Sequence, residues 1–123
     1  MSFNTGLSGL NAAAKSLDVI GHNISNANTV GMKASRAEFS EVYASSLAAA
    51  GGGGFGIGVN VAAVTQQFTQ GNITVTGNDL DLAINGAGFF ITELSNGSRA
   101  YTRAGNLKLN NEGNIITNDG AKL

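Results

Sequence analysis

The 123-residue chain carries 7 Lys and Arg against 8 Asp and Glu, a net charge of −1, and only 12% of its residues are charged. With no basic block, it has no electrostatic footprint for nucleic acid or an anionic membrane. It contains no Cys, Pro or Trp, which excludes disulfides, thiolate metal sites and a cysteine nucleophile. In place of charge stand 18 Gly and 15 Asn with many Ser, Thr and Ala. Such a surface packs against copies of itself without desolvating many ions.

The first predicted element is a long helix over about residues 3 to 27, with Ser2 or Asn4 near its N-cap. Phe3, Leu7, Leu10, Ala14, Leu17, Gly21, Ile24 and Asn28 fall at alternating steps of four and three. Ala13, Ile20 and Ala27 broaden the stripe. This spacing suits coiled-coil packing. Six large apolar groups at roughly 1.5–3 kcal/mol each put about 10 kcal/mol at stake between a buried and an exposed stripe. Nothing later in the sequence is an obvious cover, so the helix expects a partner: another copy, or a segment beyond residue 123. Asn4, Gly6, Gly9 and Asn11 interrupt the apolar run, and no basic residue precedes Lys15. The N-terminus therefore reads neither as a cleavable signal nor as a membrane span.

Asn26 to Gly31 is a turn-forming run. Residues 34–50 read as a second, weaker helix with Phe39, Val42, Tyr43 and Leu47 on one face, ending in the flexible Gly51-Gly52-Gly53-Gly54 tract. After Gly56 the apolar period becomes two, through Ile57, Val59 and Val61. It then changes parity near Ala62-Ala63, which predicts a bulge or bend. Gln70-Gly71 is expected to turn the chain into a return strand over Ile73–Thr76, completing a first hairpin.

Leu80, Leu82 and Ile84 alternate with Asp79, Asp81 and Ala83 as a half-wet strand. Asn85-Gly86 and Asn96-Gly97 are tight-turn dipeptides bracketing a strand over residues 89–94. Short strands follow at 99–103, 106–109 and 114–117, separated by Gly105, Gly113 and Gly120. The expected class is α+β: an N-terminal helix (1–30), a linker with a short helix and the first hairpin (31–71), and the start of an antiparallel meander (72–123). The pattern stops in mid-course at Leu123, so the chain reads as truncated.

Catalytic and ligand motifs are weak. Gly54-Phe55-Gly56-Ile57-Gly58 lacks a Gly-Lys-Ser/Thr ending and precedes a strand, so it offers no helix N-terminus to an anion. The only histidine, His22, has Asp18 as its one nearby carboxylate. Asp79 and Asp81 share a strand face, a common arrangement on solvated strands. No serine sits in a nucleophile elbow. The three Asn-x-Ser/Thr sequons (at Asn23, Asn72 and Asn96) are chance matches in an Asn-rich chain. No metal, cofactor or enzymatic activity is expected. The rival readings are a secreted β-rich adhesin module, which has no use for the helix, and a small hydrolase dependent on Asp79, Asp81 or His22.

The assembled motifs resemble the axial proteins of the bacterial flagellum, the rod and hook family. Met1-Ser2-Phe3, Gly6 to Ala13 and Leu17 to Gly21 are similar to the opening of its hook members. Asn23, Asn26, Thr29, Gly31, Met32 and Lys33 match the family's Asn-x-x-Asn-x-x-Thr-x-Gly-Phe-Lys signature, with Met32 where Phe is usual. Leu80 to Ile84, Gly86-x-Gly88-Phe89-Phe90 and Tyr101 to Asn106 extend the resemblance over essentially the whole chain. The short segment 34–58 favours hook over rod.

The resemblance implies a self-assembling helical tube that transmits torque from rod to filament as a universal joint. Phe3, Leu7, Leu10, Ala14, Leu17, Ile20 and Ile24 would form the axial contact, and Gly51–Gly54 a flexible joint. Implied partners are further copies of the chain, a C-terminal helix of the same protein, the adjoining rod and hook–filament junction proteins, the hook cap and the flagellar type III export apparatus. The implied location is the cell exterior, reached without a cleaved signal.

Overall fold

A computed structural model describes residues 2–43 and 56–123. The chain divides into two compact units, Met1–Asn26 with Ala34–Gln67, and Ala27–Lys33 with Phe68–Leu123.

The first unit is one helix on one hairpin. Helix α1 spans Ser2–Ser25, within two residues of its predicted ends, as is usual for fraying termini. Its last turn closes on one carbonyl. The Asn26 backbone N–H (3.1 Å), the Asn26 side-chain amide (3.0 Å) and the Ser25 hydroxyl (3.0 Å) all donate to His22 O. This satisfies an acceptor that the helix end would otherwise orphan.

The predicted second helix is not formed over residues 35–43. Instead β1 (Ser35–Tyr43) pairs antiparallel with β2 (Gly56–Gln66) through nine register positions. A nine-position ladder that also packs on α1 outweighs a weak local helical pattern. The Arg36–Glu38 ion pair, 2.7 Å at spacing i,i+2, belongs to a strand, where alternate residues share a face; on a helix they do not. The rest of the predicted helix, with Leu47, and the Gly51–Gly54 tract lie outside the described residues.

The predicted bulge is present. Glu38 pairs with Ala63 and Phe39 with Val61, so Ala62 is the extra residue, and a second slip lies between Val42 and Tyr43. The predicted return strand at 73–76 is not. β2 takes β1 as its partner, and residues 68–80 form no ladder.

The second unit is the meander. β3 (Phe90–Glu93) pairs with β4 (Arg99–Thr102), and β5 (Lys108–Leu109) with β6 (Ile115–Ile116), all antiparallel. The Asn96-Gly97 turn joins the first pair, with Gly97 at φ 81° as such turns demand. The second pair turns through Asn110, whose side-chain oxygen accepts from Glu112 N–H (3.0 Å) and Asn114 N–H (2.8 Å). Lys122, beyond β6, bridges both Glu93 of β3 and Ile116 of β6, and so joins the two hairpins.

The predicted strand at 80–84 is reduced to a single bridge, Asp81 with Asn106. Two flanking bonds support it, Leu82 N–H to Gly105 O at 2.8 Å and Leu107 N–H to Leu80 O at 3.3 Å. Gly105 has to be small here, because a Cβ would overlap the Leu82 carbonyl oxygen. Leu107 and Thr92, 4% and 3% exposed, are the buried centre among the described residues.

Candidate assembly surface

Helix α1 has two working faces. Ser8, Ala12, Ser16, Val19 and Asn23, at steps of four, four, three and four, are half-buried toward the hairpin. Ser8 Oγ accepts from Val59 N–H (2.9 Å) and donates to Val59 O (2.7 Å). Asn23 does the same at the other end, accepting from Ser35 N–H (2.9 Å) and donating to Ser35 O (2.7 Å). Each side chain thus stands in for a strand partner, and small residues between them let helix and hairpin approach. Close contact at Ser8 also needs Gly58, whose added Cβ would lie 2.7 Å from Ser8 Oγ.

At 100° per residue the apolar stripe lies on the opposite side. Phe3, Leu7, Leu10, Leu17, Ile20 and Ile24 are all 48–80% exposed, and Ala14 is exposed with them. The chain's own hairpin covers the polar face of the helix and leaves the apolar one open.

The Asn23–Lys33 signature residues make backbone-directed contacts. Asn23 clamps the start of β1, and Asn26 caps α1. Thr29 O accepts from Met32 N–H at 3.3 Å, and Met32 is half-buried. Gly31 holds φ 76° against the 103–104 backbone; an added Cβ would lie 2.7 Å from Arg103 C and 2.8 Å from Ala104 Cα. Lys33 Nζ donates to Thr69 O at 2.7 Å.

In sequence, Arg103 stands out only as one residue of the Tyr101 to Asn106 motif. Its guanidinium donates to Gly88 O, to Gly86 O (2.7 Å), to Ile84 O (2.9 Å) and to the Gln70 side-chain oxygen (2.8 Å). That same Gln70 oxygen accepts from Gly86 N–H at 3.1 Å. Phe68 meets Phe89 edge to face, with ring centroids 5.8 Å apart. One planar, five-donor side chain therefore gathers the 84–88 loop and the segment leaving β2 onto β4.

Asp81 serves local structure, accepting from the Thr76 hydroxyl (2.7 Å) and the Asn78 amide (3.4 Å). Among the described residues no three His, Asp or Glu converge as a metal site. His22 is exposed, and its backbone carbonyl is the acceptor at the helix cap. Hydrogen bonds from Arg36 and then Thr65 hold the Glu38 carboxyl below the usual carboxylate range.

Two family models match the chain. Residues 3–33 match the flagella basal body rod protein family and residues 83–123 the flagellar hook protein FlgE/F/G D1 domain. The whole chain is 46% identical to the flagellar hook proteins FlgE of Salmonella typhimurium and Escherichia coli, spanning 29% of each. It is 40% identical over 91% of its length to the basal-body rod protein FlgG of Agrobacterium fabrum, spanning 47% of that protein. The matched ranges contain both the helix with its signature and the meander gathered by Arg103, and the chain belongs to the flagellar rod and hook axial protein family.

Proposed function

We propose that this chain is the N-terminal part of a structural subunit of the flagellar hook, polymerising into a curved tube outside the cell that passes torque from rod to filament. The observation that carries the reading is the open apolar stripe on α1, on a helix whose other face is already taken by its own hairpin. Burying it at roughly 25 cal/mol per Å² of apolar surface drives association, and its four-three spacing suits knobs-into-holes packing. Phe3, Leu7, Leu10, Ala14, Leu17, Ile20 and Ile24 are the proposed assembly residues. Their proposed covers are neighbouring copies and a C-terminal helix of the same protein.

In this reading residues 1–30 contribute to an inner tube, 31–71 link, and 72–123 begin a middle domain. The Gly51–Gly54 tract is the proposed compliant joint, on composition. Adjoining rod and junction proteins, the hook cap and the export apparatus are the proposed further partners, and the subunit is mechanical, not catalytic. Similarity to the rod protein FlgG favours a second reading, a distal rod subunit of the same construction.

Immunogold electron microscopy of intact flagella, with antibody to residues 56–123, tests the proposal. Label along the short curved segment between envelope and filament is expected. Label confined to the rod of purified basal bodies selects the second reading, and absence of axial label overturns both.

A further inference from the structure

The two Asn-Gly dipeptides are chemically alike and structurally unlike. An Asn side chain followed by Gly is open to attack by the next backbone nitrogen, because no Cβ stands in the way. At Asn96 both reacting groups are engaged. The side-chain oxygen accepts from Ser98 N–H (3.0 Å) and the Ser98 hydroxyl, and Gly97 N–H donates to Leu94 O (2.9 Å) in the hairpin turn. At Asn85 the carboxamide is exposed and makes no hydrogen bond among the described residues. The attacking nitrogen, Gly86 N, is held by one side-chain acceptor, Gln70 Oε1 at 3.1 Å, which Arg103 in turn holds at 2.8 Å.

We propose that Asn85 is a self-modification site whose rate is set by the Gln70–Arg103 pair. When Gly86 N–H leaves Gln70, the nitrogen loses its proton and attacks Asn85 Cγ. A C–N bond forms, the side-chain amide departs as ammonia, and a cyclic imide remains. Water then opens either imide carbonyl, giving an aspartyl or an isoaspartyl residue; the balance is one water in and one ammonia out.

The consequence lies in where Asn85 sits. Its neighbours' carbonyls, Ile84 O and Gly86 O, both accept from the same guanidinium at 2.9 and 2.7 Å. An isoaspartyl linkage adds a methylene to the backbone between them, so one guanidinium no longer spans both. The modification is a one-way release of the 84–88 loop from Arg103, a chemical timer on a folded element.

The test is ageing of the purified protein in mildly alkaline buffer, with deamidation at positions 85 and 96 separated by peptide fragmentation spectra. Asn85 is expected to convert faster than Asn96 when folded, and at the same rate in guanidinium chloride. Gln70→Ala should accelerate Asn85 by roughly two- to tenfold, the effect of one ordinary hydrogen bond, and leave Asn96 unchanged. Gln70→Glu, which keeps an acceptor facing Gly86 N–H and Arg103, should hold Asn85 at or below its wild-type rate. Conversion of Asn96 ahead of Asn85, persistence of the rate difference in denaturant, or acceleration by Gln70→Glu overturns the proposal.

Discussion

Gly31→Ala tests whether the Asn23–Lys33 signature is written by packing. Two costs meet at this position. The backbone is left-handed at φ 76°, where a Cβ costs about 1–2 kcal/mol. The new methyl would also sit 2.7–2.8 Å from Arg103 C and Ala104 Cα, well inside the roughly 3.5–4.0 Å carbon–carbon optimum. Backbone cannot rotate away as a side chain can, and overpacking of this kind costs typically about 1–3 kcal/mol. The sum is about 2–5 kcal/mol.

Gly97→Ala is the matched control. Gly97 has nearly the same dihedral, φ 81°, but open space around it, so only the first cost applies, about 1–2 kcal/mol. Native-state hydrogen exchange at the Leu82 and Leu107 amides, both bonded within the second unit, reads the difference directly. Gly31→Ala should lower protection there by about fivefold or more beyond what Gly97→Ala does. Equal loss in the two variants would refute the packing argument and reduce Gly31 to a dihedral requirement.

Other substitutions address the remaining contacts. Asn23→Ala strips both partners from the Ser35 backbone and should destabilise the helix–hairpin unit by about 1–3 kcal/mol, measured as a shift in urea midpoint; Asn23→Asp keeps the acceptor and should restore part of it. Arg103→Lys keeps the charge but loses the planar fork that serves four acceptors. It should cost about 1.5–3 kcal/mol and expose the 84–88 amides to exchange. For Glu38 the folded pKa is depressed, so its contribution is present above the ordinary carboxylate pKa and is lost as pH falls through the folded value. Titration by NMR should place Glu38 below the usual carboxylate range, and Arg36→Ala should return it upward.

What the sequence revealed, it revealed through local rules. The long helix and its stripe follow from 3.6-residue periodicity, the bulge at Ala62 from a change in two-residue parity, and the β3–β4 turn from the Asn96-Gly97 dipeptide. The face of α1 that binds the hairpin left no such trace. Ser8, Ala12 and Ser16 carry no apolar signal, and what Ser8 and Asn23 contribute is hydrogen bonding to backbone more than ten residues away. β1 resembles a helix in sequence because Phe39 and Val42 suit a helical face as well as a strand. The i,i+2 pairing of Arg36 with Glu38 was the available clue. Arg103 was hidden for another reason: its acceptors are backbone carbonyls 15 to 19 residues upstream and one amide 33 residues upstream. An acceptor that every residue owns leaves no mark in sequence.

The central claim is that the open stripe of α1 drives assembly. Its most direct test is electron microscopy of hooks from cells carrying Leu17→Asp in the full-length protein, beside Asn4→Asp, which places the same charge on an exposed position off both working faces. An ionised carboxylate in the buried seam has no partner to offset its desolvation. The account predicts exported subunits without tubes for Leu17→Asp and normal hooks for Asn4→Asp; normal hooks from Leu17→Asp would contradict it.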